Sequence, residues 1–237
     1  MRARRLLGVV VLMLAACGGD GPPTPAVGGA PDTPPSVGEG GTSSQDPLPR
    51  VVFLGTSLTA GLGLSSPDEA YVARVAALAD SAGLPIRAIN AGVSGETSAG
   101  GLRRLDWILR DPVDVLVLEL GANDGLRGQD PTAMEANLAA IIDRTRERNP
   151  GVRVVLAGME APPNLGAQYT QAFRDVFPRV AAGHGASLVP FLLEGVAADP
   201  DLNQADGIHP TAEGHRIVAR TVWRVLLPVL EDGAERR

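Results

Sequence analysis

The chain has 237 residues, a formal charge of −6 and a single cysteine. An acidic chain without a basic patch excludes the electrostatic footprint of a nucleic-acid partner, and a lone cysteine excludes an internal disulfide, leaving the fold to its apolar core. Three scattered histidines make no metal site, and Gly61-Leu62-Gly63 lacks the third glycine of a dinucleotide fingerprint, so neither a metal nor a cofactor is expected.

Residues 1–16, MRARRLLGVVVLMLAA, join a basic start to an apolar run too short to span a bilayer, then small residues. That pattern reads as a secretory leader. Leu14-Ala15-Ala16-Cys17 resembles a bacterial lipoprotein signal, in which cleavage exposes a cysteine for lipid modification. Stable anchoring needs two membrane signals, and a lipidated N-terminal cysteine usually carries more than one acyl chain. The expectation is an exported lipoprotein, tethered to the periplasmic or outer face of a bacterial envelope and touching the membrane only through Cys17. Residues 17–49 are almost all Gly, Pro, Ser, Thr and other small residues, too poor in apolar surface to offset ordering entropy. They are expected to be a disordered tether, with a propeptide or mucin-like stalk as alternatives. Residues 50–232 have the length of one domain, expected to be monomeric, and 233–237 form a tail.

Within the domain, apolar runs of strand length fall at 51–54, 86–90, 114–120, 152–158 and 187–190. Helical spacing occupies 68–82, 101–109, 131–148, 169–181 and 212–230, with Pro67 and Asp130-Pro131 as helix starts. Val- and Leu-rich strands alternating with helices predict a five-stranded parallel sheet covered on both sides, an α/β/α sandwich. In such sheets ligands bind beyond the carboxyl ends of the strands. The segments there are Gly55-Thr56-Ser57-Leu58, the turn 91–97, Gly121-Ala122-Asn123-Asp124, the stretch 159–164 and, before the last helix, Asp206-Gly207-Ile208-His209-Pro210.

Their chemistry is complementary. A serine hydroxyl needs a positioned base to become a nucleophile, and an imidazole serves as base and then acid. Ser57 and His209 are the candidates, and Asp206, three residues earlier, can fix the tautomer of His209. The N–H groups of Ser57 and Gly95 and the amide of Asn123 are candidate donors to an oxyanion. Competing assignments are weaker. Ser94 is an alternative nucleophile, but Gly-Val-Ser-Gly-Glu is no G-x-S-x-G elbow. His184 is expected to be solvated, His215 to pack or face water, and Asp124 to be a turn or cap residue.

NAGVSGETSAGG (90–101), LGANDGLR (120–127) and DGIHP (206–210), with the Ser57 turn, resemble the SGNH (GDSL) hydrolase family, in particular its bacterial arylesterase and acyl thioesterase/lysophospholipase members. Ser57, Gly95, Asn123 and His209 take the namesake positions. The resemblance covers the whole domain and implies a flavodoxin-like sandwich, a Ser57–His209–Asp206 triad and no metal. Two positions depart from the pattern. Thr56 stands where the family name has aspartate, although its hydroxyl can still bind local backbone, and Ala122 replaces a glycine.

Leu62, Leu64, Leu126, Met159, Pro162 and Pro163 are expected to line an acyl or aryl pocket, with Arg127 nearby. The expected activity is hydrolysis of acyl or aryl esters, including thioesters or lysophospholipids, small-molecule or lipid. Export would separate the chain from cytoplasmic coenzyme A esters. A carbohydrate O-acetylesterase of the envelope and a non-catalytic surface lipoprotein are the alternatives.

Overall fold

In β1 (Arg50–Gly55) every residue from Val51 to Gly55 is buried, as expected of a central strand covered on both faces. The structure, a computed structural model, describes residues 48–235. The expected leader, the Cys17 lipidation site and nearly all of the expected tether lie outside these residues. β1 pairs in parallel with β2 (Arg87–Gly92) on one side and β3 (Val115–Glu119) on the other. The sheet continues in parallel through β4 (Arg153–Ala157) to β5 (Ser187–Val189), in the order β2-β1-β3-β4-β5. β3 and β4 are buried like β1, while the edge strands β2 and β5 are partly exposed.

Short α1 (Ser57–Ala60) follows β1 directly, and α2 (Tyr71–Ser81) leads to β2. The remaining helices are α3 (Ser98–Ile108), α4 (Ala122–Leu126), α5 (Pro131–Arg148), α6 (Ala167–Gly183) and α7 (Ala212–Ala234). α2 packs on α7, while α3 packs on α5 and α5 on α6, so the sheet lies between two helical layers as the alternation of elements predicts. The chain leaves β1 toward β2 on one side and returns past β1 to β3 on the other. The carboxyl ends of β1 and β3 therefore flank a topological switch point, the general ligand position of open α/β sheets. No helix among the described residues is long and apolar enough to cross a membrane.

The elements depart locally from the expectation, and the largest departures have physical causes. The helix expected over 68–82 is broken: a 3₁₀ turn over Pro67–Glu69 ends at Ala70, whose backbone is extended, and α2 begins at Tyr71. The Tyr71 N–H donates to Nδ1 of His215 at 3.2 Å, so a ring from α7 takes the hydrogen that a continuous helix would use internally. His215 packs rather than facing water, stacked on Tyr71 with ring centroids 6.2 Å apart. Burial, with Arg74 nearby, pushes its pKa down to about 4, so it is neutral in the fold.

α3 starts three residues before the expected 101. Its first turn is capped twice, by Thr97 Oγ1 accepting from the Gly100 N–H at 3.3 Å and by the distant Asp124 carboxylate accepting from the Ser98 N–H at 2.8 Å. His184 remains partly exposed, as expected, and its ring is also paired with Asp143 on α5 at 2.8 Å. α7 runs to Ala234, past the expected domain end at 232, and α6 extends beyond both ends of its expected range.

Candidate active site

β1 ends at Gly55, and Thr56 caps α1 with its hydroxyl accepting from the Leu58 N–H at 3.4 Å. Ser57 is thus the first helical residue after the strand, almost buried, at the edge of the switch point. Its Oγ lies 2.8 Å from Nε2 of His209, a residue 152 positions away in sequence. Nδ1 of His209 lies 2.6 Å from Oδ2 of Asp206. The other Asp206 oxygen accepts from the N–H groups of Ile208 at 2.9 Å and His209 at 3.0 Å.

These bonds fix protonation. The His209 ring first, then the two backbone N–H groups, hold the Asp206 carboxyl well below the usual carboxylate range. An ionised carboxylate can only accept, so Nδ1 is the donor, and the lone pair of Nε2 faces the Ser57 hydroxyl. The loop carrying both residues is stapled in place. The Gln204 N–H donates to His209 O at 2.7 Å, and its side-chain amide donates to Leu62 O at 2.7 Å and Pro210 O at 3.0 Å.

The opposite wall comes from the turns after β2 and β3. Gly95 has φ 77°, a left-handed conformation that glycine adopts without strain, and Arg127 donates to its carbonyl at 2.9 Å. Glu96, in the same turn, is gripped by Arg104 of α3, whose Nε donates to it at 2.7 Å and whose Nη2 donates to Ala91 O at 2.6 Å. Asn123 sits on α4, a helix absent from the sequence expectation. Its Nδ2 donates to Glu96 O at 3.0 Å, which leaves a second N–H on the same nitrogen. Asp124 is buried and binds Ser98, so it caps α3 and not its own helix. Ser57, Gly95, Asn123 and His209 all border one cavity.

That cavity measures about 560 Å³ and is mostly apolar, within the range that encloses a small organic ligand. Leu62, Leu126, Met159, Pro162 and Pro163 line it as expected. Leu64 does not. Its N–H donates to Gly61 O, and its side chain folds back over Gly61 instead of reaching the cavity. A further wall went unread in the sequence: Phe191, Leu193, Ala197 and Ala198, beyond the end of β5, together with Ile208. The strand-end rule applied to the fifth strand would have found it. Ser94 also borders the cavity, but the His209 ring is bonded to Ser57. A buried acid, Glu119, lies directly behind the Ser57 turn and was also missed. The only signal was a charge inside the apolar run DVLVLEL.

A model of the GDSL-like lipase/acylhydrolase family matches residues 53–217. The chain is 41% identical over 181 residues to esterase TesA of Pseudomonas aeruginosa, covering 76% of this chain and 89% of that protein. It is 36% identical over 182 residues to thioesterase 1/protease 1/lysophospholipase L1 of Escherichia coli strain K12, covering 76% and 84%. The crystal structure of the psychrotrophic esterase EstA from Pseudoalteromonas, inhibited by monoethylphosphonate, matches with a TM-score of 0.71 and 32% identity, covering 77% of this chain and 98% of that one.

Proposed function

The chain belongs to the GDSL-like lipase/acylhydrolase family and hydrolyses carboxylic esters, and from that premise we propose a serine mechanism for it. One observation supports it above the others: the unbroken hydrogen-bonded line from Asp206 through His209 to the Ser57 hydroxyl, at the floor of an apolar cavity. As Ser57 Oγ attacks the ester carbonyl, its proton passes to Nε2 of His209. Asp206 stabilises the imidazolium that forms. The carbonyl oxygen becomes an oxyanion, which accepts from the N–H groups of Ser57 and Gly95 and the free N–H of Asn123. Collapse expels the alcohol, which takes the proton from His209 and leaves an acyl-serine. Water, deprotonated by the same ring, then releases the acid and restores the hydroxyl.

For substrate, the reading is an ester or thioester with an apolar acyl or aryl group, lysophospholipids included, in keeping with the activities named for the two relatives. An acetyl group would leave most of the cavity empty. Each methylene drawn into an apolar site is worth roughly 0.8 kcal/mol, so kcat/KM should rise at least about tenfold from p-nitrophenyl acetate to octanoate. A profile peaking at acetate, with activity confined to acetylated glycans, would replace this reading with an O-acetylesterase.

The exported, lipid-anchored state is proposed from the leader and Cys17 alone. Cys17→Ala in the full-length chain should move the protein from the membrane pellet to the soluble fraction. Retention in the pellet would mean that the anchor is something else.

A further inference from the structure

We propose that Glu119 is a positioning residue for the nucleophile: a buried carboxylate that sets the geometry of the Ser57 turn by gathering three of its donors. This rests on the serine mechanism above and adds a residue to it. Glu119 ends β3, has no exposed surface, and lies beside Gly55 in the parallel register of β1 and β3. Glu119 itself does not line the cavity, whereas its partner Thr56 does, so it acts through the turn and not on substrate.

All three donors come from the segment that carries the serine. The Thr56 N–H donates to Oε2 at 2.8 Å, the Thr56 hydroxyl lies 3.0 Å from both oxygens, and the Thr59 hydroxyl donates to Oε2 at 2.8 Å. The residue before Ser57 and the residue two after it are therefore held on one rigid acceptor. The Thr56 hydroxyl relays the hold by accepting from the Leu58 N–H. The turn is built around this group. A Cβ at Gly55 would collide with both the Thr59 hydroxyl and the Glu119 carboxylate, so only glycine leaves room for the approach. The network then runs outward: the Tyr71 hydroxyl lies 2.8 Å from Thr59 Oγ1, and the Tyr71 N–H ends on His215 of α7, the helix that follows the His209 loop. A polar strut thus spans from beneath Ser57 to the element behind His209.

Three donors need a full set of acceptor lone pairs, which an ionised carboxylate has and a protonated one lacks. Burial pushes the Glu119 pKa up to about 7, and the bonds from Thr56 and Thr59 pull the other way. Other ionisable groups around it are few. Tyr71 faces it from α2 with His215 of α7 stacked behind. Arg104 of α3 reaches Gly55 O nearby but is paired to Glu96. The acid limb of the kcat–pH profile should therefore carry a step from Glu119.

The test compares Glu119→Gln and Thr59→Val with wild type, using kcat, KM, pH profiles and thermal melts. Glu119→Gln offers one acceptor oxygen and adds unwanted donors. Its kcat should fall about tenfold with KM within twofold, a scale set by the cost of small misplacements of a reacting group. Its acid limb should lack the Glu119 step that wild type shows. Thr59→Val keeps the shape and the carboxylate but removes a donor that favours the charged form, so the Glu119 step should move to higher pH. A folded Glu119→Gln with wild-type kcat and an unchanged acid limb would overturn the proposal. If that variant does not fold, a Thr59→Val profile identical to wild type does so. Fluorophosphonate labelling of Ser57 in wild type runs alongside. Its failure would remove the serine mechanism itself, an outcome separate from either of these.

Discussion

Ser57→Ala is expected to lower kcat on p-nitrophenyl esters by ~10⁴-fold or more, while thermal unfolding stays within a few degrees of wild type. Triad members act as a unit, so loss of the nucleophile alone removes nearly everything the triad supplies, and the residue left comes from oxyanion donors and binding. The fold should tolerate the change. The Ser57 hydroxyl bonds only His209 across the cavity edge, whereas the turn itself is held by Thr56, Thr59 and Glu119. Fluorophosphonate labelling should vanish in the same variant, because its target oxygen is gone. Activity near wild type would move the nucleophile to another hydroxyl, with Ser94 on the same cavity as the first to examine. An inert wild type that never labels would instead favour a binding platform.

Asn123→Ala should lower kcat by about 10²–10³ with KM little changed, the cost of one donor that strengthens only as negative charge develops. In the resting state Nδ2 already donates to Glu96 O, so one N–H is spent on holding the amide in place and the other is aimed by that bond. Glu96 is in turn gripped by Arg104, which also reaches the ends of β1 and β2. The donor is thus fixed before substrate arrives, which is what makes such a group effective. Asn123→Leu, similar in size but uncharged and with no N–H to give, should match the alanine variant and separate lost donation from lost packing. A rise in KM with kcat intact would reassign Asn123 to ground-state binding.

The strand order of chemistry was legible because it depends on local patterns. Val51–Leu54, Asp114–Leu120 and Val152–Gly158 announce buried parallel strands, and turns of small residues after them mark where a site must lie. Ser57, Gly95, Asn123, Asp206 and His209 were found by that route, and the structure brings all five to one cavity or its rim. What escaped depends on contacts distant in sequence. No local rule ends a helix at Ala70, because the interruption comes from His215, 144 residues from Tyr71. Leu64 has a pocket-like composition but is turned away by the hydrogen bond from its own N–H to Gly61 O. Glu119 was hidden because alternation reveals which face a strand residue takes, and not which hydroxyls wait there. The Asp124 cap is of the same kind: a turn or cap role was expected, but the helix it caps begins 26 residues earlier in the sequence.

The short span from Asp206 to His209 joins carboxylate and imidazole through both backbone and side chain, so the two travel together as one cassette. Its one bond to the nucleophile is the 2.8 Å step between that cassette and the β1 turn, the joint on which proton transfer depends. Loosening this joint would impair turnover while leaving the Asp206–His209 bond intact. Cross-linking the 62 region to the 204–210 segment, where Gln204 already bridges them, is the natural place to harden the enzyme.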